Sequence, residues 1–231
     1  FQKSSDLRYG ENPHQKAAFY VSRNSRRGTF ASHHLLQGKE LSFNNLADAD
    51  TAWDSVKSLP KPACAIIKHA NPCGAAIADS AKKAYELAFS TDPVSAFGGI
   101  IAFNVEIDEE TAQRVTNKFV EVVIAPGFSD EAKKIFSKKP NVRALQIEKT
   151  NKENEFDYKR IGGGLLVQTA DIETPSLDQL KIVTKREPDS KQLKQMLFAW
   201  KIDKFVKSNA IVFVNNNMTL GIDAGQMSRV D

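Results

Sequence analysis

The chain has 231 residues, of which 41% are hydrophobic and 26% are charged, a balance that is typical of a folded globular protein and excludes a wholly disordered chain. Its 32 lysine and arginine residues exceed its 28 aspartate and glutamate residues, and the formal charge of +4 suits anionic small molecules as well as nucleic acid. The sequence has two cysteines, no signal-peptide core and no apolar run near the roughly 18 residues that span a bilayer, so we expect a cytoplasmic protein without a disulfide scaffold.

Short β-branched runs alternate with amphipathic stretches along the chain, which predicts a layered α/β fold. Apolar residues at three- and four-residue steps from Ala49 to Leu59 predict a helix that ends before Pro60. Further helices are predicted from about Ser80 to Phe89, from Asp108 to about Phe119, after Ser129, and from Asp189 to Phe205. Strands are predicted at 63–67, 99–103, 121–125 and 142–147, and a hairpin at 210–214 and 218–222. The polar segment 149–160 is interpreted as a surface loop or an exposed hairpin.

The stretch 169–188 has mixed charge and prolines without clear periodicity, so we place a lobe boundary there. Residues 1–170 would form a first lobe, 171–188 a linker, and 189–231 the first part of a second lobe. The first residue is phenylalanine rather than methionine, and the last residues stop within a motif-like stretch. We therefore expect a longer polypeptide at both ends.

The first candidate binding residues lie in the segment Leu7–Gln15. Arg8 places a permanently charged fork of donors beside the aromatic ring of Tyr9, in a stretch that glycine and proline interrupt. Such a stretch can wrap an anionic, aromatic ligand such as a nucleotide. A capped surface loop fits the spacing equally well.

The second candidate block, Lys68–Gly74, directly follows the predicted strand 63–67. Open α/β sheets bind ligands just past the carboxyl ends of their strands, so polar side chains there are candidates for chemistry. His69 can act as a general base near neutral pH, and Lys68 can hold a phosphate or neutralise developing charge. The alternative is a helix-entry turn with a solvated lysine and a hydrogen-bonded histidine.

The same block departs from the zinc-deaminase signature, which needs Cys-x-x-Cys and His-x-Glu. Ala76 occupies the second cysteine position after Cys73, and Asn71 rather than glutamate stands two residues after His69. We therefore expect no zinc. Cys73 fits a small buried thiol better than a nucleophile.

Three further stretches are candidates for ligand contact, although each also fits an ordinary turn or glycine-rich loop. Asp92–Gly99 sets two glycines beside an aromatic ring, which lets backbone approach a planar ligand. Lys207–Ala210 lies between a predicted helix and strand, so the Asn209 amide can meet a ligand carbonyl. Arg229, in the glycine-bearing end of the chain, suits a phosphate. The paired lysines within 133–139 lack interleaved aromatic residues, which favours a solvated helix face over a nucleic-acid surface.

Taken together, these blocks resemble the transformylase region of the bacterial bifunctional aminoimidazole carboxamide ribonucleotide (AICAR) formyltransferase/IMP cyclohydrolase family. The matched blocks, in the family's order, are Leu7–Gln15, Lys68–Gly74, Asp92–Gly99, Lys207–Ala210 and Gly221–Asp231. The resemblance implies transfer of a formyl group from 10-formyltetrahydrofolate, as co-substrate, to the 5-amino group of AICAR in the last steps toward IMP.

The resemblance also implies a role for each matched residue. His69 would be the base, Lys68 would polarise the formyl centre, and Asn209 would orient the substrate amide and the transferring group. The other implied roles are nucleotide binding by Arg8 and Tyr9, lining of the base by Phe97 and Gly98, phosphate contact by Arg229, and folate contact by Val94 and Val230.

The family fold has two lobes, each resembling cytidine deaminase without its metal, so the resemblance implies one complete lobe and the start of a second. It further implies a homodimer with shared active sites, leaves a monovalent cation open, and gives no nucleic-acid or membrane partner. The family continues past residue 231 through a stretch that supplies folate and phosphate contacts, and a cyclohydrolase domain precedes the transformylase region. We therefore expect the 231-residue chain alone to be weakly active or inactive. The alternative function is a nucleotide-binding, dimer-forming fragment without catalysis.

Overall fold

A computed structural model of the chain describes residues 1–23, 27–149 and 155–228. Within these ranges the chain forms five α-helices, which are α1 (Phe43–Lys57), α2 (Ala81–Thr91), α3 (Glu109–Thr116), α4 (Asp130–Ser137) and α5 (Ser190–Asp203). The strands are β1 (Gln2–Leu7), β2 (Ala17–Val21), β3 (His34–Gln37), β4 (Ala63–Lys68), β5 (Asn71–Ile77), β6 (Ile100–Phe103), β7 (Val122–Ala125), β8 (Arg143–Gln146), β9 (Phe156–Ile161), β10 (Gly164–Thr169), β11 (Ile211–Asn215) and β12 (Met218–Asp223). Short 3-10 turns occupy Phe30–Ser32 and Leu177–Gln179.

Eight of the described strands form one mixed sheet in the order β11-β12-β5-β4-β6-β7-β8-β3. The three strands β6, β7 and β8 run parallel to one another, and the other pairs of this sheet are antiparallel. Central strands β6 and β7 are buried along their whole length, as expected for strands covered on both faces.

Helices cover both faces of the sheet. Helices α2, α3 and α4 pack on one face, over a core that includes Tyr85, Phe103 and Phe136. Helices α1 and α5 pack on the other face, over a core that includes Trp53 and Ile202. The predicted layered α/β fold is thereby confirmed: the mixed sheet is the middle of three layers.

The predicted helices and central strands are confirmed, but α1 begins at Phe43, six residues before the apolar pattern. Ser42 caps this helix: its hydroxyl accepts from the Asn45 N–H at 3.1 Å, and the Asn45 side chain accepts from the Ser42 N–H at 3.3 Å. Two polar asparagines therefore lie inside the first turn. The apolar periodicity that predicts a helix does not extend over these polar residues, so the sequence did not show where α1 begins.

Strand β5 replaces the helix-entry turn that was one alternative for the block Lys68–Gly74. It pairs antiparallel with β4, and the register shifts between Ile66 and Ile67, opposite Pro72. Proline lacks a backbone N–H and is tolerated in sheets at such irregularities. Helix α2 begins only at Ala81, so the helix-entry alternative is wrong.

Two hairpins lie in the C-terminal part of the described chain, before and after α5. The segment 149–160, interpreted as a surface loop or an exposed hairpin, lies partly outside the described residues. Its residues 156–160 belong to β9, which pairs with β10 in a hairpin that is exposed along its length. The hairpin of β11 and β12 joins the main sheet, where Met218 pairs with Ala76. Next to this pair, a side chain replaces the backbone hydrogen bonds between β12 and β5. The Thr219 hydroxyl accepts from the Ala75 N–H at 2.9 Å and donates to the Ala75 carbonyl at 3.1 Å. The division into lobes at 171–188 stays a prediction.

None of the described helices has the combination of length and hydropathy that a bilayer crossing requires.

Candidate functional site

His69 and Ala70 form the two-residue turn between β4 and β5. Both have left-handed backbone, with φ of 53° and 56°, as the tight turns of β-hairpins require. The turn projects from the buried end of β4, and both of its residues are exposed. His69 is therefore presented to solvent at the tip of a hairpin whose strands belong to the central sheet.

Asp48 of helix α1 binds the backbone of this turn. The Ala70 N–H donates to the Asp48 carboxylate at 2.7 Å. Burial raises the pKa of Asp48 above its ordinary value, and hydrogen bonds from the backbone N–H groups of Ala70 and His69 offset only part of that rise. The carboxylate is thus a partly buried acceptor for the turn.

Lys68, the last residue of β4, is bound to the loop that precedes β6. Its ammonium donates to the Phe97 carbonyl at 2.9 Å and to the Gly98 carbonyl at 3.2 Å. Gly98 has a φ of 66°, and a Cβ there would lie 3.1 Å from the Phe119 ring and 3.4 Å from the Lys68 nitrogen. This close approach explains why glycine occupies the position.

The side chain of Asn71 joins the turn to the segment 207–209. Its amide donates to the His69 carbonyl at 3.1 Å, and its oxygen accepts from the Lys207 N–H at 3.0 Å. Asn209 in turn exchanges two backbone hydrogen bonds with Gln226, at 3.2 and 3.1 Å. The structure therefore brings together the two blocks that contain His69 and Asn209.

Arg8 and Tyr9 lie on the connection between β1 and β2, where the Arg8 guanidinium is 5.6 Å from the centre of the Tyr9 ring. The Asn44 amide donates to the Glu11 carbonyl of this connection at 3.3 Å. Asn44 and Asp48 are one helical turn apart on α1, so one face of this helix contacts both the Arg8 loop and the His69 turn.

Of the other predicted site residues, one lies on an exposed loop and two lie outside the described ranges. Val94 is 86% exposed on the loop that leads to Phe97 and Gly98. Arg229 and Val230 lie outside the residues that the structure describes, so their predicted roles stay predictions.

Sequence reasoning missed the polar start of α1 as a part of the site. Asn45 donates to the Glu121 carboxylate at 2.9 Å, and the Glu121 N–H donates to the Gly99 carbonyl at 3.3 Å. Through Asn44 and Asp48 this start of α1 contacts two of the candidate blocks directly, and through Glu121 it reaches a third. The capping spacing of Ser42 and Asn45 was the signal that could have placed a helix start here.

The Cys73 thiol is a poor nucleophile in this setting. Burial raises its pKa to about 12, and its sulfur lies 3.5 Å from the Ile66 carbonyl. Across the ranges that the structure describes, no three His, Cys, Asp or Glu side chains are grouped as a metal would need.

An ammonium, an imidazole and an amide thus occupy one end of the sheet, with two exposed aromatic rings, Phe97 and Phe119, 5.4 Å apart beside them. Such a set can bind a planar ligand, accept a proton and stabilise a developing negative charge. Among known protein families, the model described as AICARFT/IMPCHase bienzyme matches residues 1–231.

Proposed function

Because the chain belongs to the AICARFT/IMPCHase bienzyme family, whose bifunctional members act in purine biosynthesis, we propose that it carries the formyl-transfer site. The reaction moves a formyl group from N10 of 10-formyltetrahydrofolate to the 5-amino group of AICAR. The products are tetrahydrofolate and formylated AICAR.

The difficulty of this reaction lies in the amine, whose lone pair is delocalised into the imidazole ring and the carboxamide. His69 accepts a proton from this amine as the nitrogen attacks the formyl carbon, and an N–C bond forms. When the tetrahedral intermediate collapses, the C–N10 bond breaks and the proton passes to N10. One base therefore serves both halves of the transfer.

Lys68 stabilises the oxyanion of that intermediate. An ammonium has three N–H donors, and two of them bind the carbonyls of Phe97 and Gly98. The third is left for the formyl oxygen, in a direction that the first two fix. A donor that is already oriented needs no reorganisation when charge develops.

The observation that carries the proposal is the Asn71 bridge between the His69 carbonyl and the Lys207 N–H. It links the base to the segment of Asn209, whose amide orients the substrate amide and the transferring group. Arg8 and Tyr9 hold the nucleotide, Phe97 and Gly98 line its base, and Arg229 binds its phosphate. Val94 and Val230 contact the folate.

We propose the family's wider architecture as well: one cytidine-deaminase-like lobe without zinc and the start of a second, in a cytoplasmic homodimer that shares its active sites. A monovalent cation remains compatible with this proposal.

The test is His69→Ala in the natural full-length protein, with formyl transfer and AICAR binding measured separately. Without the base, we expect transfer to fall by at least about a hundredfold, while the dissociation constant of AICAR changes by less than about fivefold. His34→Ala, on the distant edge strand β3, is the matched control and should transfer at the unsubstituted rate. Unchanged transfer by the His69 variant would remove His69 from the mechanism.

A further inference from the structure

We infer that Asp48 is a positioning residue for this reaction: its carboxylate fixes the backbone of the His69–Ala70 turn, and thereby the place of the imidazole. The inference rests on the proposed function and extends it to a residue on another element. Asp48 itself contacts backbone of the turn and takes no proton from substrate.

The first argument is the geometry of the turn. Two consecutive non-glycine residues have left-handed backbone, which is uncommon and needs support from surrounding structure. The Ala70 N–H donates to Asp48 at 2.7 Å, a short distance for this kind of bond. The carboxylate is therefore well placed to stabilise the conformation that presents His69.

The second argument is the rigidity of the support. Asp48 directly precedes Ala49, which is fully buried, and Ala52 and Trp53 on the same helix are fully buried as well. A carboxylate on such a helix cannot follow the turn if the turn moves. The Asp48 contact therefore connects an exposed turn to a helix whose other face is part of the buried core.

The third argument is electrostatic. Burial raises the pKa of Asp48, the nearby Glu121 adds to the rise, and the charge of His69 opposes it. The fold therefore bears a cost for keeping this group ionised, and an asparagine of the same shape would avoid that cost. The backbone N–H groups of Ala70 and His69 offset part of this cost, so the hydrogen bonds that this partly buried acceptor receives come from the turn.

Three variants of the natural full-length protein separate positioning from folding: Asp48→Ala, Asp48→Asn, and Asp50→Asn as the control on another face of α1. We expect Asp48→Ala to lower kcat by about ten- to a hundredfold, because a small misplacement of a catalytic group is costly, with KM for AICAR within about threefold. Asp48→Asn should recover kcat to within about fivefold, since its amide oxygen still accepts from Ala70. Asp50→Asn should match the unsubstituted protein.

An unchanged kcat in Asp48→Ala, or an equal loss in Asp48→Ala and Asp48→Asn, would overturn the inference. A second arm uses the 231-residue chain and needs no activity: hydrogen exchange of the Ala70 amide, followed by NMR. It should accelerate severalfold in Asp48→Ala and little in Asp48→Asn, and equal exchange in all forms would also overturn the inference. If the unsubstituted full-length protein transfers no formyl group, the proposed function fails instead.

Discussion

The Asn71 side chain connects two segments of the candidate site that are far apart in sequence. Its two hydrogen bonds reach the two segments that contain the proposed base and Asn209. In the sequence, Asn71 was noted only because it stands where a zinc-deaminase motif would have glutamate. Its hydrogen bond to Lys207, 136 positions away, leaves no local pattern that could predict it. By contrast, His69 and Lys68 were identifiable, since they directly follow a clear strand.

Replacing Asn71 by alanine should loosen the two segments from each other. Each exposed hydrogen bond contributes about 0.5–1.5 kcal/mol, so we expect kcat to fall about tenfold while AICAR binding changes little. Steady-state kinetics on the full-length protein measures this change. Asn117→Ala, at the end of α3, is the control, and equal kcat in the two variants would contradict the role given to Asn71.

At the scale of elements, helices were predicted better than strands. Amphipathic periodicity and capping residues identify α1 to α5, whereas β1 has a polar sequence exposed on both faces and has no alternating apolar signal. β5 contains Pro72 and Gly74, which argue against a strand when read locally. The strand pairs with β4 on one side and with β12 on the other, and it packs against α2; the contacts with β12 and α2 are tertiary and leave no local sequence pattern.

The start of α1 depends on one cap. Ser42→Ala removes the side-chain acceptor for the Asn45 N–H, and we expect the free energy of unfolding to fall by about 1 kcal/mol. Urea denaturation of the 231-residue chain measures it. Ser42→Asp retains a capping oxygen and should remain within a few tenths of a kcal/mol of the original. Equal losses in both variants would show that the cap is not the cause.

At the scale of the whole molecule, the described chain leaves large apolar side chains uncovered. Leu165, Leu166 and Val167 of β10 are each more than half exposed, and a two-stranded hairpin is marginal in water without a hydrophobic partner. The Phe1 ring lies edge-on to the Tyr158 ring of β9, with ring centres 6.2 Å apart, and remains 80% exposed. Composition alone did not reveal this surface, because its residues are ordinary and their exposure depends on the fold.

If this hairpin lies in the proposed dimer interface, charge on it should separate the subunits. We expect Leu165→Lys combined with Val167→Lys to shift the full-length protein from dimer to monomer in sedimentation velocity, because burying two ammonium groups is costly. Val183→Lys, at a position that is 82% exposed elsewhere, should leave the dimer intact. A dimer that persists in the doubly substituted protein would place the interface on another surface.

The tight connection between β4 and β5 also limits how this region can change in length. Side chains alternate between the faces of a strand, so one residue inserted in or deleted from β4 would send the Lys68 ammonium to the opposite face, away from the Phe97 and Gly98 carbonyls. An extra residue in the turn would shift the Ala70 N–H away from the Asp48 carboxylate on α1. Insertions and deletions should therefore be rejected between Ala63 and Ile77.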